Sequence, residues 1–290
     1  MRLHSLLSRN SVLGLLLIIG MVVASGCSDD ESTTPQSTAV PTADEDVFET
    51  VIAAIGEDNG GIVDLAGDIA AASDDIDSFP VSAKRIAGVG VPVYDSVTKT
   101  WQVQVMRQNG SPTDPFRATY MRTYRYQYRD QLGETLQHRV AGSDTAYAIR
   151  FEIMEGSGTC HTNRLAQQVM SMTGTLEAAG INTDTITING TCTRIGLDTL
   201  LSYQSARTLE YQLELTFANV RCLRGQTQDV AQQITGELSG SFTANVSFMS
   251  GYTYGETAIT RTMAVVMGDG EAVVSIGEKT FNGDLATGTP

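Results

Sequence analysis

The chain has 290 residues, 33 acidic and 19 basic, and a formal net charge of −14. This acidic balance excludes nucleic-acid binding through a general positive field. The stretch beyond the apolar leader and its linker is long enough for one large β domain or two small ones, and no second apolar run approaches the length of a membrane helix.

Arg2 and Arg9 flank a short basic region, and residues 11–23 (SVLGLLLIIGMVV) are apolar. As a helix this run would reach roughly 20 Å, short of the ~30 Å hydrocarbon core. That is the anatomy of a secretory leader rather than of a membrane span. Ala24-Ser25-Gly26-Cys27 then resembles the lipobox of bacterial lipoproteins, in which small residues precede a cysteine. Ala24 stands where that family most often has Leu. The resemblance implies cleavage between Gly26 and Cys27, diacylation of the Cys27 thiol and a third acyl chain on the new amino terminus. Two or three chains make a stable anchor, since each buried CH2 contributes ~0.8 kcal/mol. Ser28, where enteric inner-membrane lipoproteins carry Asp, points to the outer membrane of a bacterial envelope. The alternative is an ordinary leader with a cysteine near the cut.

Residues 27–46 form the lipidated cysteine and a polar, Pro-punctuated linker that reads as a tether. Residues 47–80 are expected to be helical. Val47, Phe48, Val51, Ile52 and Ile55 share one helical face, with Asp44, Glu45 and Asp46 at its positive end. Ile62, Val63, Ala66, Ile69 and Ala70 repeat the pattern after the stop EDNGG (57–61).

Residues 81–290 read as an antiparallel β domain, and from about Gly90 the period changes to two. Trp101, Val103 and Val105 share a parity. So do Tyr120, Tyr124, Tyr126 and Tyr128, and likewise Met170, Met172 and Leu176. Leu209 to Phe217 and Ile234 to Phe248 also alternate. This predicts about nine amphipathic strands joined by Gly-, Asn- or Asp-containing turns, hence an antiparallel sheet and no βαβ units. Gly236, Gly240 and Ala244 fall on an apolar parity, where something must approach closely. The Ala/Gly-rich second helix is the expected neighbour. The fold class is therefore mainly β: a large curved antiparallel sheet or half-barrel, with the N-terminal helices packed on one face as part of the same domain. A complete barrel is the alternative.

Catalytic signatures are missing. The mature chain has only His138 and His161, neither at metal-ligand spacing. HExxH, P-loop and GxSxG motifs are absent. Cys160 and His161 are neighbours on a strand and point apart. Asp74, Asp75 and Asp77 lack the spacing of a calcium loop. No catalytic residue, metal or cofactor is expected. Arg117, Arg125 and Arg129 lie on the polar parity. Arg122 sits among the tyrosines on the apolar one. A buried arginine needs a partner, so Arg122 marks either the mouth of a cavity or a bulge in the register. In an up-and-down meander, with Cys160 in a loop after a strand at 146–155, Cys192 returns to the same end of the sheet. This predicts a Cys160–Cys192 disulfide and leaves Cys222 as the odd thiol.

Two function classes remain from the sequence. The first is a membrane-anchored envelope lipoprotein with a structural or interaction role and no catalysis. The second is a lipid or hydrophobic-ligand carrier with a half-barrel cavity, a likeness of architecture alone. The expected partners are the membrane, through acyl chains on Cys27, and a lipid or another envelope protein. A transmembrane β-barrel shares the alternation but lacks its aromatic girdles here.

Overall fold

The computed structural model describes residues 43–74, 86–139, 146–201, 205–225, 229–250 and 253–290. The leader, Cys27, the linker to residue 42 and residues 75–80 of the expected helical segment lie outside the described residues.

Two helices open the fold, α1 (Ala43–Ile55) and α2 (Ile62–Asp74). Asp44, Glu45 and Asp46 occupy the first turn of α1, where carboxylates offset the helix dipole. The turn between the helices is held by the C-terminal segment: Glu57 and Asp58 donate their backbone N–H groups to the carbonyls of Leu285 and Ala286, at 2.8 Å each.

The strands are β1 (Ile86–Val89), β2 (Val93–Asp95), β3 (Thr100–Asn109), β4 (Arg117–Arg129), β5 (Thr135–Leu136), β6 (Ala148–His161) and β7 (Leu165–Ala179). They continue as β8 (Thr185–Leu201), β9 (Ser205–Leu223), β10 (Thr235–Ser250), β11 (Thr253–Gly268), β12 (Glu271–Ile276) and β13 (Lys279–Asp284). Among the described residues these 13 strands make one antiparallel meander in the order β1-β3-β4-β6-β7-β8-β9-β10-β11-β12-β13, with β2 beside β3 and β5 beside β4. No ladder among them joins β13 to β1, β2 or β3, so the sheet is curved and open, not a closed barrel. The tight β11–β12 turn has Asp269 at φ 53° and Gly270 at φ 82°, the two left-handed residues that a hairpin of this twist requires.

The sheet wraps the helices. α1 lies against β12 and β13, where Phe48 stacks on Phe281 at 4.8 Å between ring centroids. α2 lies against β9 and the 3₁₀ turn Val230–Gln232. Every α2 residue from Ile62 to Ser73 is buried, so this helix is covered on all sides. Val47, Val51, Ile52, Ile55, Leu65 and Ile69 are completely buried and share one core with Tyr124, Phe151, Leu213 and Phe242. A fully buried side chain of this kind contributes roughly 1.5–3 kcal/mol.

Three expectations need correction. The strands are longer than the alternation suggests: β6 runs on to His161, and Cys192 lies in the middle of β8. Cys160 pairs with Gln167 of β7, whereas Cys192 pairs with Gly174. Those β7 positions are seven residues apart, about 20 Å along the strand. A disulfide needs Cα atoms within about 7 Å. The expected Cys160–Cys192 bridge therefore does not form, and Cys160, Cys192 and Cys222 are free and buried.

Met170 also leaves the expected apolar face. It is the extra residue of a bulge between Val169 and Ser171, and it is exposed. Finally, α2 is not what approaches Gly240. A β-carbon there would strike the carbonyl oxygen of Glu214 on the adjacent strand, with the Leu215 side chain next. The glycine makes room for β9, not for a helix. Gly240→Ala should accordingly lower stability by roughly 1–3 kcal/mol, because backbone has to move. The neighbouring exposed change Ser239→Ala should stay within about ±0.5 kcal/mol. Denaturant titration of both variants measures the difference.

Candidate functional site

Residues 43–74 contain nine acidic side chains and no Lys or Arg. The sheet answers with arginines on its inner face. Asp64 and Asp68 are four residues apart on α2 and so project from the same side. Arg122 and Tyr124 are two apart on β4 and share its inner face. Arg107 of β3 completes the group.

Asp64 accepts from Nη1 of Arg107 at 2.7 Å and from Nη1 of Arg122 at 2.8 Å. Asp68 accepts from Nη2 of Arg107 and, at 2.5 Å, from the Tyr124 hydroxyl. Nη2 of Arg122 donates to the Gly60 carbonyl, and the guanidinium lies 4.7 Å from the centre of the Tyr120 ring. That ring covers Gly60, which has φ +67° and no space for a β-carbon. Burial pushes the Asp68 carboxyl up, opposed first by Arg107. Burial works to lower Arg107, but Asp64 and Asp68 more than offset this and its net shift is upward. Two carboxylates and two guanidiniums thus form a neutral, buried quartet.

A second group lies on β7, β8 and β9. Asp198 accepts from the Gln167 amide at 2.9 Å. Arg194 donates to the Tyr211 hydroxyl at 3.1 Å and to the Gln167 carbonyl oxygen. Gly196 stands between Arg194 and Asp198 on the inner face. A β-carbon there would lie 2.7 Å from the Tyr211 hydroxyl, so the glycine is what lets Tyr211 cross β8. Burial pushes Asp198 from its ordinary 3.8 up to about 7, against the pull of Gln167 and Arg194.

Between the two groups is a cavity of about 10 Å³, lined by Asn59, Tyr120, Arg122, Cys160, Gln167 and Arg194 among others. This is room for about one water molecule. Arg122 is 2 % exposed, so it stands inside the molecule and not at a cavity mouth. Nor is it a slip in the register of β4: the neighbouring bulge belongs to β6, where Met154 is the extra residue.

Outer ion pairs extend the pattern at both ends. Asp44 meets Arg261 at 2.7 Å and Lys279 at 3.2 Å. Asp46 meets Arg207 at 3.0 Å, Glu49 meets Arg164 at 2.7 Å, and Asp74 meets Arg139 and Arg224 at 3.3 and 3.5 Å. Burial pushes Asp46 up to about 6 despite Arg207. On the outer face Arg125 and Arg129 pair with Glu152 and Glu177, while Arg117 donates to the Asp114 carbonyl at 3.3 Å.

These groups carry charge but no activated nucleophile. Burial raises all three thiols to about 12, so they stay protonated. The Cys160 thiol donates to the Asn59 side-chain oxygen at 3.3 Å. His161 ends β6, and His138 packs on Trp101 at 5.4 Å between ring centres, both apart from the ionic core. Among the described residues no three His, Cys, Asp or Glu side chains are grouped to hold a metal. Sequence reasoning singled out Arg122 but missed Asp64, Asp68, Arg107 and Arg194. The available signal was Arg107, Arg122, Arg194 and Arg207 on apolar parities beside a helical segment carrying only acids. Comparison with protein-family models, curated proteins and solved structures returns no match.

Removing one member of the quartet leaves buried charge uncompensated. Asp68→Ala should cost about 3–5 kcal/mol, against ~0–1 kcal/mol for Arg125→Ala on the outer face. Urea unfolding separates the two. The raised carboxyls also set a pH dependence. The folded chain holds protons on Asp46 and Asp198 between their ordinary 3.8 and about 6 and 7, where the unfolded chain has lost them. Stability therefore falls as pH rises through that window and is greater on its acid side. The urea midpoint should rise on going from about pH 7.5 to about pH 5, and Asp198→Asn should flatten that rise.

Proposed function

We propose that the chain is a membrane-anchored envelope lipoprotein with a structural or interaction role and no catalysis. The observation that carries this reading is Cys27, placed after three small residues at the end of an apolar leader and before a polar linker. Acyl chains on Cys27 hold the domain at a bacterial membrane, the outer membrane by the Ser28 criterion. The interior supports an interaction role over a ligand carrier. The space between helices and sheet is filled by side chains and buried ion pairs, and the cavity there, at about 10 Å³, admits no acyl chain. Partners are then met on the outer face and the turns.

Cys27→Ser should move the full chain from the membrane pellet to the soluble fraction in detergent-free fractionation. A mutant that stays in the pellet would contradict the anchor. Native mass spectrometry of the unanchored chain should show no lipid-sized mass retained.

A further inference from the structure

The strand tips of β8, β9, β10 and β11 form an apolar edge. Leu201 pairs with Ala206, Ala206 with Met249, and Met249 with Tyr254, so the four lie side by side across adjacent strands. They occupy the outer face, with Leu201 49 %, Met249 58 % and Tyr254 65 % exposed. The next outward row is polar: Thr199, Thr208, Ser247 and Glu256 stand directly behind them. The Tyr254 hydroxyl reaches back to Glu256. An apolar row, a tyrosine with its polar end turned inward and a row of three hydroxyls and a carboxylate reproduce, over two residues of strand, the gradient of a lipid–water interface.

The first turns of α1 also come near this edge. Asp46 is bonded to Arg207, the residue after Ala206. Glu49 is bonded to Arg164, whose carbonyl accepts from the Leu201 amide at 2.8 Å. Fifteen residues, 28–42, stand between Cys27 and α1. A chain of that length reaches at most about 50–55 Å.

We propose that this row inserts into the interface of the bilayer that holds the acyl chains of Cys27. The proposal rests on the lipoprotein reading. Three half-exposed side chains alone make a marginal contact. A short tether raises their effective concentration at the bilayer to roughly the millimolar range, and a weak contact then becomes occupied. The chain is acidic and Glu256 and Glu210 lie behind the row, so the attraction is apolar, not electrostatic. The anchored domain is thereby oriented, with the β8–β11 tips on the membrane and the opposite strand ends projecting.

Trp101, the one tryptophan, supplies a control. Its row crosses Tyr126, Phe151 and Leu176 and meets β8 at Gly190, eleven residues from Leu201 and about 35 Å along the strand. Full-length wild type and Tyr254→Trp are placed in phosphatidylethanolamine vesicles doped with brominated phosphatidylcholine. The added tryptophan should shift to the blue and be quenched roughly twofold or more, while wild-type emission is unchanged; Met249→Ser in the Tyr254→Trp background should weaken the quenching. An unquenched Tyr254→Trp overturns the proposal, as does a lipid-insensitive signal accompanied by dimerisation through the row. The mass of the Cys27 peptide judges the anchor separately. If it carries no acyl chain, the lipoprotein reading fails, and the soluble chain is added to the same vesicles: quenching there sustains membrane insertion, and its absence overturns it.

Discussion

A helix bearing only acidic charge can be enclosed by an apolar sheet where that sheet presents cations at matching positions on its inner face. Taking an ion out of water costs several kcal/mol, recovered only with good geometry and satisfied hydrogen bonds. Asp64 and Asp68 meet those conditions through Arg107, Arg122 and Tyr124. The arrangement also fixes the register of α2. A shift of one residue turns the helix by about 100°, which would drive both carboxylates into hydrocarbon and leave two arginines bare.

The remaining architecture follows from enclosing that ionic centre. Neighbouring long strands pair almost throughout in sequence order, and the sheet curls so that β3 and β4 on one side and β9 on the other both reach α2. Small residues sit where the inner face would otherwise be overfilled. Gly196 yields to the Tyr211 hydroxyl and Gly60 to the Tyr120 ring.

Much of this was legible in the sequence. The period-two tyrosines of β4, the alternation of β9 and the i, i+4 pattern of both helices identify the sheet, its buried face and the helices. What escaped has identifiable causes. Single extra residues at Met154 and Met170 reverse parity in mid-strand, and nothing local marks them. The true lengths of β6 and β8 hide behind threonines and glycines, which read as turns, and this is what misplaced Cys160 and Cys192. The quartet joins residues up to 58 positions apart. Arg122 announces a need for a partner without naming one, because α2's aspartates also look natural on a solvated face.

The contact of α1 with β12 and β13 joins the beginning of the fold to its end. Asp44 meets Lys279, Phe48 stacks on Phe281, and the last residues hold the turn at Glu57. A chain that emerges amino-terminus first therefore exposes its first helix long before that helix has a place to go. Neighbouring strands can zip in the order they appear, at low loop-closure cost, whereas the helix must wait for the final hairpin. Its unbroken negative charge keeps it soluble meanwhile. Completion of the carboxyl end thus becomes the step that closes the core, and a polypeptide cut short before β12 would leave its oldest helix uncovered.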